Sequence, residues 1–516
     1  MGEKVRHFAE HPAIALEVLV PPQHFYRQLE RALDLAFVRD LVRECYAARG
    51  RPSIDPVVFF RLQLVMFFEG IRSERQLMRV VADRLSLRWY IGYDLDEAVP
   101  DHSSLTKIRE RYGVEVFRRF LDAVVERCRQ AGLVWGEELY LDATQVDANA
   151  ALNSVTPRFA VETHLANLFP PDESDAAASP ADSPPDPAPA EDAGPAAPVR
   201  LPVALAGDAY AALAEENTRR HDWLAEVGRQ RREVTRGSYR RKADYQVSTT
   251  DADATTMRRK GGGVHLGYHT HYVVDGGKAR IILRALVTPA EVMENQPALD
   301  LLWQACFRWR LRPRLVAADT TYGTGEIIRA IEEAGIRAYL PLPDNDKRTL
   351  LFSKRDFTYD PERDVYLCPQ GTTLRFAAVS PAERLKVYYA DRAACNACPI
   401  KARCTTTDQG RRVSRHMDEE YVDLARTYHE TEPYWKARRK RQVWVEPLFA
   451  EAKDWHGLRR FRLRGLERVN RETLLVAAGQ NLKRLLSRRG WGRRPWPGGA
   501  AGLALAPVVA SARLTQ

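Results

Sequence analysis

Between Val264 and Leu340 the hydrophobic period changes repeatedly, and this limits the folds open to the chain more than any other feature. The runs Val264–Val274 (VHLGYHTHYVV) and Ala279–Val287 (ARIILRALV) flank Asp275-Gly276-Gly277, which predicts a β-hairpin. A helical pattern follows over Gln296–Arg310. Next come a short strand at Leu315–Ala318 that ends on Asp319, a helix over Gly325–Ala334 capped by Gly335, and a strand at Arg337–Leu340. Another strand and its exit are expected over residues 135–150 (WGEELYLDATQVDANA). Strands that alternate with helices after an antiparallel hairpin imply an α/β fold with a mixed sheet.

The flanking segments differ. Residues 24–132 read as helical. Asp55-Pro56 forms a cap followed by Pro at the first helical position, the apolar run Val57–Phe68 follows, and Gly70 closes it. Ser73-Glu74-Arg75-Gln76 opens a second helix, and Pro100–Ser104 opens a third that runs to Gly132. Residues 1–134 are therefore expected to form a basic helical domain of a kind that docks on DNA, with a packing or dimerisation domain as the alternative. Within 135–343, residues 170–200 form an acidic Pro-rich linker expected to be disordered, and residues 205–234 carry a charged helical pattern. Residues 344–416 break the alternation and hold a cysteine cluster. From Tyr421 the chain reads as helical to about Arg489, so residues 417–489 are expected to close the catalytic part. Residues 490–516 form a Gly/Pro-rich tail expected to be mobile.

Charge narrows the partner. The net charge is +10, but Lys436–Arg494 alone holds eighteen Lys/Arg against five Asp/Glu, which favours a polyanion such as nucleic acid. No apolar run approaches the roughly 18–20 residues of a spanning helix, and the N-terminus is interrupted by charge and Pro, so neither a membrane nor a secretory route is expected.

Three carboxylates stand out. Asp142 follows Leu139-Tyr140-Leu141, and Asp319 follows Leu315-Val316-Ala317-Ala318. Glu446 lies in the helical stretch RKRQVWVEPLFAEAKDWHGLRRF, where Phe449 and Lys453 share its face and Pro447 bends or starts a helical section. Taken singly, an Asp after a strand is commonly a turn residue, and a helical Glu is commonly solvated. Together they suit phosphoryl transfer to or from DNA. Two Mg²⁺ ions can activate the attacking oxygen and stabilise the leaving one, and Mg²⁺ needs few carboxylates when they sit on rigid elements.

With these pieces in view, the chain resembles the DDE transposases of bacterial insertion sequences, in the branch with a helical N-terminal domain before an RNase H-like catalytic core. The segments that carry the resemblance are LDATQVDANA, GYHTHYVVD, VAADTTYGTGEIIRAIEEAGIRAYLP and VEPLFAEAKDWHGLRRFRLRGLERV. It implies that Asp142, Asp319 and Glu446 are the catalytic metal ligands, and that Asp147, Asp251 and Asp253 lie outside the triad. It implies an Mg²⁺-dependent endonuclease and strand transferase, with two ions per site and Mn²⁺ as a substitute. Double-stranded DNA at transposon ends and at the target is the implied partner of a homodimer, in the bacterial cytoplasm at the nucleoid. Where family members often carry Arg one turn before the Glu, this chain has Gln442, with Arg439 and Arg441 nearby. A nuclease without strand transfer, or a DNA-binding regulator derived from a transposase, is the alternative.

Two further groups complete the reading. Cys395-Asn-Ala-Cys398 is followed by Cys404, and Cys368 precedes the pair across a 26-residue gap, so four thiolates could hold a structural Zn²⁺; unliganded or redox thiols are the alternatives. Such Cys-rich insertions resemble those in this transposase branch. His416 is a substitute ligand. Lys453, Arg459, Arg460, Arg462 and Arg464, with Arg439 and Arg441, are expected to contact DNA phosphates, whereas Trp444, Trp455 and Phe461 read as core.

Overall fold

The computed structural model describes residues 15–46, 53–157, 246–258, 262–343, 350–381 and 384–488. The acidic linker at 170–200, the charged pattern at 205–234 and the tail at 490–516 lie outside the described residues. Contacts divide the chain into two compact units.

The first unit is helical and takes in the chain up to Ala131. The helix Pro56–Glu69 starts where the Asp55 side chain accepts the Val57 N–H (2.9 Å), and it stops where Gly70 turns left-handed at φ 64°. It is buried on almost every side, and Phe60 stacks on Phe120 of the long helix His102–Gln130 with ring centroids 4.5 Å apart. Ser73 caps Glu74–Asp83 by accepting from Gln76 N–H. This unit also includes residues 475–488, which the sequence pattern groups with the catalytic end. The reason is packing. A Cβ on Gly479 would lie 2.6 Å from the Phe67 ring, so the ring lies flat on a helix surface that only glycine leaves open.

The second unit holds the mixed sheet. Its strands are β1 (Glu138–Asp147), β2 (Thr255–Arg258), β3 (Val264–Asp275), β4 (Ile282–Pro289), β5 (Leu315–Ala317) and β6 (Arg337–Tyr339). The order is β2-β3-β1-β5-β6, and β4 pairs with a different length of the same edge of β3 as β2. β1 runs antiparallel to β3 and parallel to β5, so it is the seam between the hairpin side and the parallel side. Its residues Leu139, Tyr140 and Leu141 are buried, as a central strand covered on both faces requires.

A second sheet is an antiparallel meander of Thr358–Asp360, Val365–Leu367, Thr373–Ser380, Leu385–Ala390 and Arg412–His416. Phe357, Tyr366, Leu374, Tyr388 and Val413 form its core, and Cys368, Cys395 and Cys404 pack against that core. Among the described residues, no helix is long and apolar enough to cross a membrane.

Candidate active site

The parallel pairing of β1 and β5 brings the two aspartates together. Tyr140 pairs with Ala317, and each strand reaches its aspartate two residues later, so Asp142 and Asp319 leave neighbouring strands at the same level. Asp142 accepts the Ala143 N–H (3.0 Å). Asp319 accepts the Thr321 N–H (2.9 Å) and so caps a short turn, Thr320–Tyr322. Beyond it the backbone passes close to the exit of β6: a Cβ on Gly323 would fall 2.1 Å from the Pro341 carbonyl oxygen.

Glu446 comes from the far end of the chain. The helix Glu432–Trp444 ends at Val445, and a new helix, Glu446–Trp455, begins at the glutamate itself. Pro447, which has no N–H to give, suits the first turn of a helix and not its interior. The predicted shared face is present. Phe449 stacks on Tyr272 (4.5 Å), the partner of Asp142 across the sheet, and Lys453 Nζ donates to Thr144 Oγ1 (2.6 Å) two residues beyond Asp142. These contacts fix the helix that presents Glu446.

One cation lies among the carboxylates. Arg441 Nη1 is 2.9 Å from Asp142 Oδ2, and Nη2 donates to Glu446 Oε1 at 3.3 Å. Burial pushes the Asp142 carboxyl up to about 7; Arg441 opposes this, and Asp319 and Glu446 add to it. Glu294 is likewise raised to about 7, first by burial and then by Asp319 and Asp142. Glu294 carries no sequence signal, since it reaches the site only through the fold. The cleft beside the triad is walled by Trp435, Arg438, Arg439, Arg441 and Gln442, with Asp319 and Glu446 at its edge. Trp435 and Arg438 were not expected there. Both lie on Glu432–Trp444, and Arg438 stacks over Trp435 at 5.3 Å.

The donor set suits a hard divalent ion: it is all carboxylate oxygen, Asp319 and Glu446 raise the affinity of Asp142 for positive charge, and the Arg441 guanidinium answers Asp142 and Glu446. Among the described residues, no three His, Cys, Asp or Glu side chains are yet gathered tightly enough to hold a metal. At the carboxylates, the Arg441 guanidinium spans the oxygens such an ion would use.

Two of the rival carboxylates, Asp251 and Asp253, have other work, and at Asp147 the backbone is tied. Asp251 accepts from Tyr268 Oη (2.6 Å) and Gly465 N–H (3.1 Å), and Asp253 caps the helix Leu466–Arg488 by accepting the Leu466 N–H (2.6 Å). Asp147 accepts the Phe461 N–H through its carbonyl. The expected basic clamp is only partly in place. Arg439 and Arg441 line the cleft, but residues 456–465 form a loop and not a helix. There Arg459 pairs with Asp454 (2.5 Å), and Arg464 Nε donates to the Asn149 carbonyl (2.9 Å). The Arg462 N–H donates to Glu472 (3.0 Å), which pins the loop. Phe461 is core as expected. Trp455 is half exposed and Trp444 only partly buried, with Lys440 Nζ 4.2 Å from its ring.

The four cysteines line one small pocket under the second sheet. None is in a disulfide. Cys368 Sγ accepts the Thr372 N–H (3.3 Å), and Cys395 Sγ accepts the Arg411 N–H (3.4 Å). Burial raises the Cys404 thiol, and the other three cysteines raise it further against Arg411. His416 is not on this pocket; its Nδ1 accepts the Asp418 N–H (3.1 Å).

Asp142 lies midway along β1 and Asp319 just past the end of β5, side by side on neighbouring strands, with Glu446 delivered by a later helix. Residues 14–111 match the family described as Transposase domain (DUF772), and residues 367–486 match the family described as Transposase DDE domain. Both matches are to transposase families, and together they support a DDE transposase of insertion sequences. No curated protein and no solved structure matches it.

Proposed function

We propose that this transposase cuts DNA at the ends of an insertion sequence and joins those ends to target DNA in one site. The observation that carries the reading is the convergence of Asp142, Asp319 and Glu446, from three separate elements, on a cleft walled by arginines. The core would be RNase H-like, as a DDE domain implies. The three carboxylates would hold Mg²⁺ ions, with Mn²⁺ as a substitute. When bound, such ions make the attacking oxygen more nucleophilic and neutralise charge on the leaving one.

The chain's own groups do the rest. Arg438 and Arg439 would hold phosphates at the mouth of the cleft, and Lys453 supports the strand that carries Asp142. In the first step a water oxygen attacks phosphorus and the 3′-oxygen leaves. In the second the oxygen of that 3′-hydroxyl attacks a target phosphorus, and the target strand's own 3′-oxygen leaves and takes up the proton. Both are in-line displacements with similar charge, so one site serves both. Two ends handled together call for a homodimer on DNA, working at the bacterial nucleoid. The helical unit would supply sequence-independent or end-specific DNA contacts.

The test is a strand-transfer assay on duplexes carrying the element's ends, with Mg²⁺. Joined products are expected; nicking without joined product would leave a nuclease and remove transposition.

The cysteine pocket supports a separate structural reading. Four free thiols face one pocket, and backbone N–H groups donate to two of the sulfurs, an arrangement that suits a closed Zn²⁺ site. Elemental analysis after purification without chelator should give one zinc per chain, and its absence would defeat this reading.

A further inference from the structure

Arg441 occupies an unusual place for an arginine on a DNA-binding helix. Its side chain lines the cleft, is 17 % exposed, and bridges Asp142 Oδ2 and Glu446 Oε1. Those oxygens belong to two of the three proposed metal ligands. A divalent ion on both carboxylates and a guanidinium on both carboxylates exclude each other, because they compete for the same lone pairs.

The surroundings supply somewhere else for the guanidinium to go. Arg441 stands near the C-terminal end of Glu432–Trp444, and Arg438 and Arg439 of that helix line the same cleft. Its long stem can turn the planar head without moving the helix. The cleft wall is cationic, so an anionic backbone entering it would meet Arg438 and Arg439 first and then offer oxygens to Arg441.

We infer that Arg441 is an exchangeable counter-ion: it holds Asp142 and Glu446 together before metal arrives, and moves onto a DNA phosphate as the divalent ion takes its place. Arg441 is then a positioning residue in the free protein and a phosphate ligand in the loaded one. This rests on the reading of the triad as a metal site. A consequence is linkage: DNA draws Arg441 away and so raises metal affinity, and metal raises DNA affinity by the same factor.

The experiment is calorimetric titration of Mn²⁺ into the full chain, with and without a short duplex DNA, for wild type, Arg441→Ala and Arg439→Ala. Without DNA, Arg441→Ala should bind Mn²⁺ about tenfold more tightly than wild type, a typical size for coupling between sites. Arg439→Ala removes the same charge from the same cleft and should change affinity much less. Adding DNA should tighten Mn²⁺ binding by wild type and have little effect on Arg441→Ala. Arg441→Gln serves the same comparison if the alanine variant is unfolded by circular dichroism. Wild-type Mn²⁺ binding with no gain in the Arg441 variants, or an equal gain in Arg439→Ala, overturns this inference alone. No Mn²⁺ binding in any form overturns the metal reading of the triad as well.

Discussion

The carboxylate cleft and the cysteine pocket are both candidate metal sites, and they are built in opposite ways. The cleft gathers oxygen donors from three distant parts of the chain, keeps one edge open and holds a guanidinium among its acids. The pocket gathers sulfur donors from residues 368–404, rests on the apolar core of a small sheet and has backbone N–H groups aimed at sulfur. An open oxygen site with a displaceable cation suits an ion that must meet substrate. A thiol site backed by a core suits an ion that only holds the fold. The difference also governs what each owes to sequence: the pocket is local, while the cleft exists only once the sheet order has formed.

Four substitutions separate the two regions, taken from the largest expected effect to the smallest. Asp319→Asn keeps the turn-capping oxygen and removes a charge, so Mg²⁺-dependent cleavage should fall at least about a thousandfold in a nicking assay, with the melting temperature nearly unchanged. Residual cleavage at wild-type rate would break the assignment. Cys398→Ser should do the reverse. Bound zinc should be lost, and residues 350–416 should become protease-sensitive with a stability loss on the order of 3 kcal/mol, since structural zinc binding is folding energy. Retained zinc content would remove Cys398 from the set.

Glu294→Gln probes the acidity of the cleft. Its carboxyl is raised from 4.5 to about 7 in the folded protein, so between those values the native state holds more protons than the unfolded one. Stability from this group therefore falls as pH rises through that window, and the whole cost is present above about 7. The variant should gain on the order of 2 kcal/mol at about pH 8 in the presence of chelator, and nothing at about pH 4. An equal gain at both pH values would mean the Glu294 carboxyl is not raised by its surroundings.

Asp253→Ala is the smallest. It removes a cap from Leu466–Arg488 and should cost about 1 kcal/mol in thermal melts. Mn²⁺ affinity should stay as in wild type, and a change there would return Asp253 to the metal site.

Much of this arrangement was legible before the structure. Hairpin, helix and strand limits between Val264 and Tyr339 follow the hydrophobic period to within a few residues, because core packing and turn chemistry act locally there. The shared face of Glu446, Phe449 and Lys453 was readable from helical spacing. Glu294 was not, since its approach to Asp142 and Asp319 depends on tertiary placement of the loop after β4. The run from Arg459 to Arg464 shows a related limit of sequence reading. Charge density does not distinguish a phosphate clamp from arginines whose backbone and side chains tie a loop to Asp454, Asn149 and Glu472. Trp435 went unnoticed because aromatic residues on helices are usually core.

The position of β1 at the seam of the sheet has a consequence for the order of events during synthesis. Asp142 is made before Glu446, its partner in the proposed triad, which lies 304 residues later. At roughly 5–20 residues per second, a ribosome takes on the order of 15–60 seconds to cover that distance. Through that interval the helical unit's first part and the strand bearing Asp142 exist without Glu446 and Arg441. A chain stopped anywhere before residue 446 lacks one member of the proposed triad.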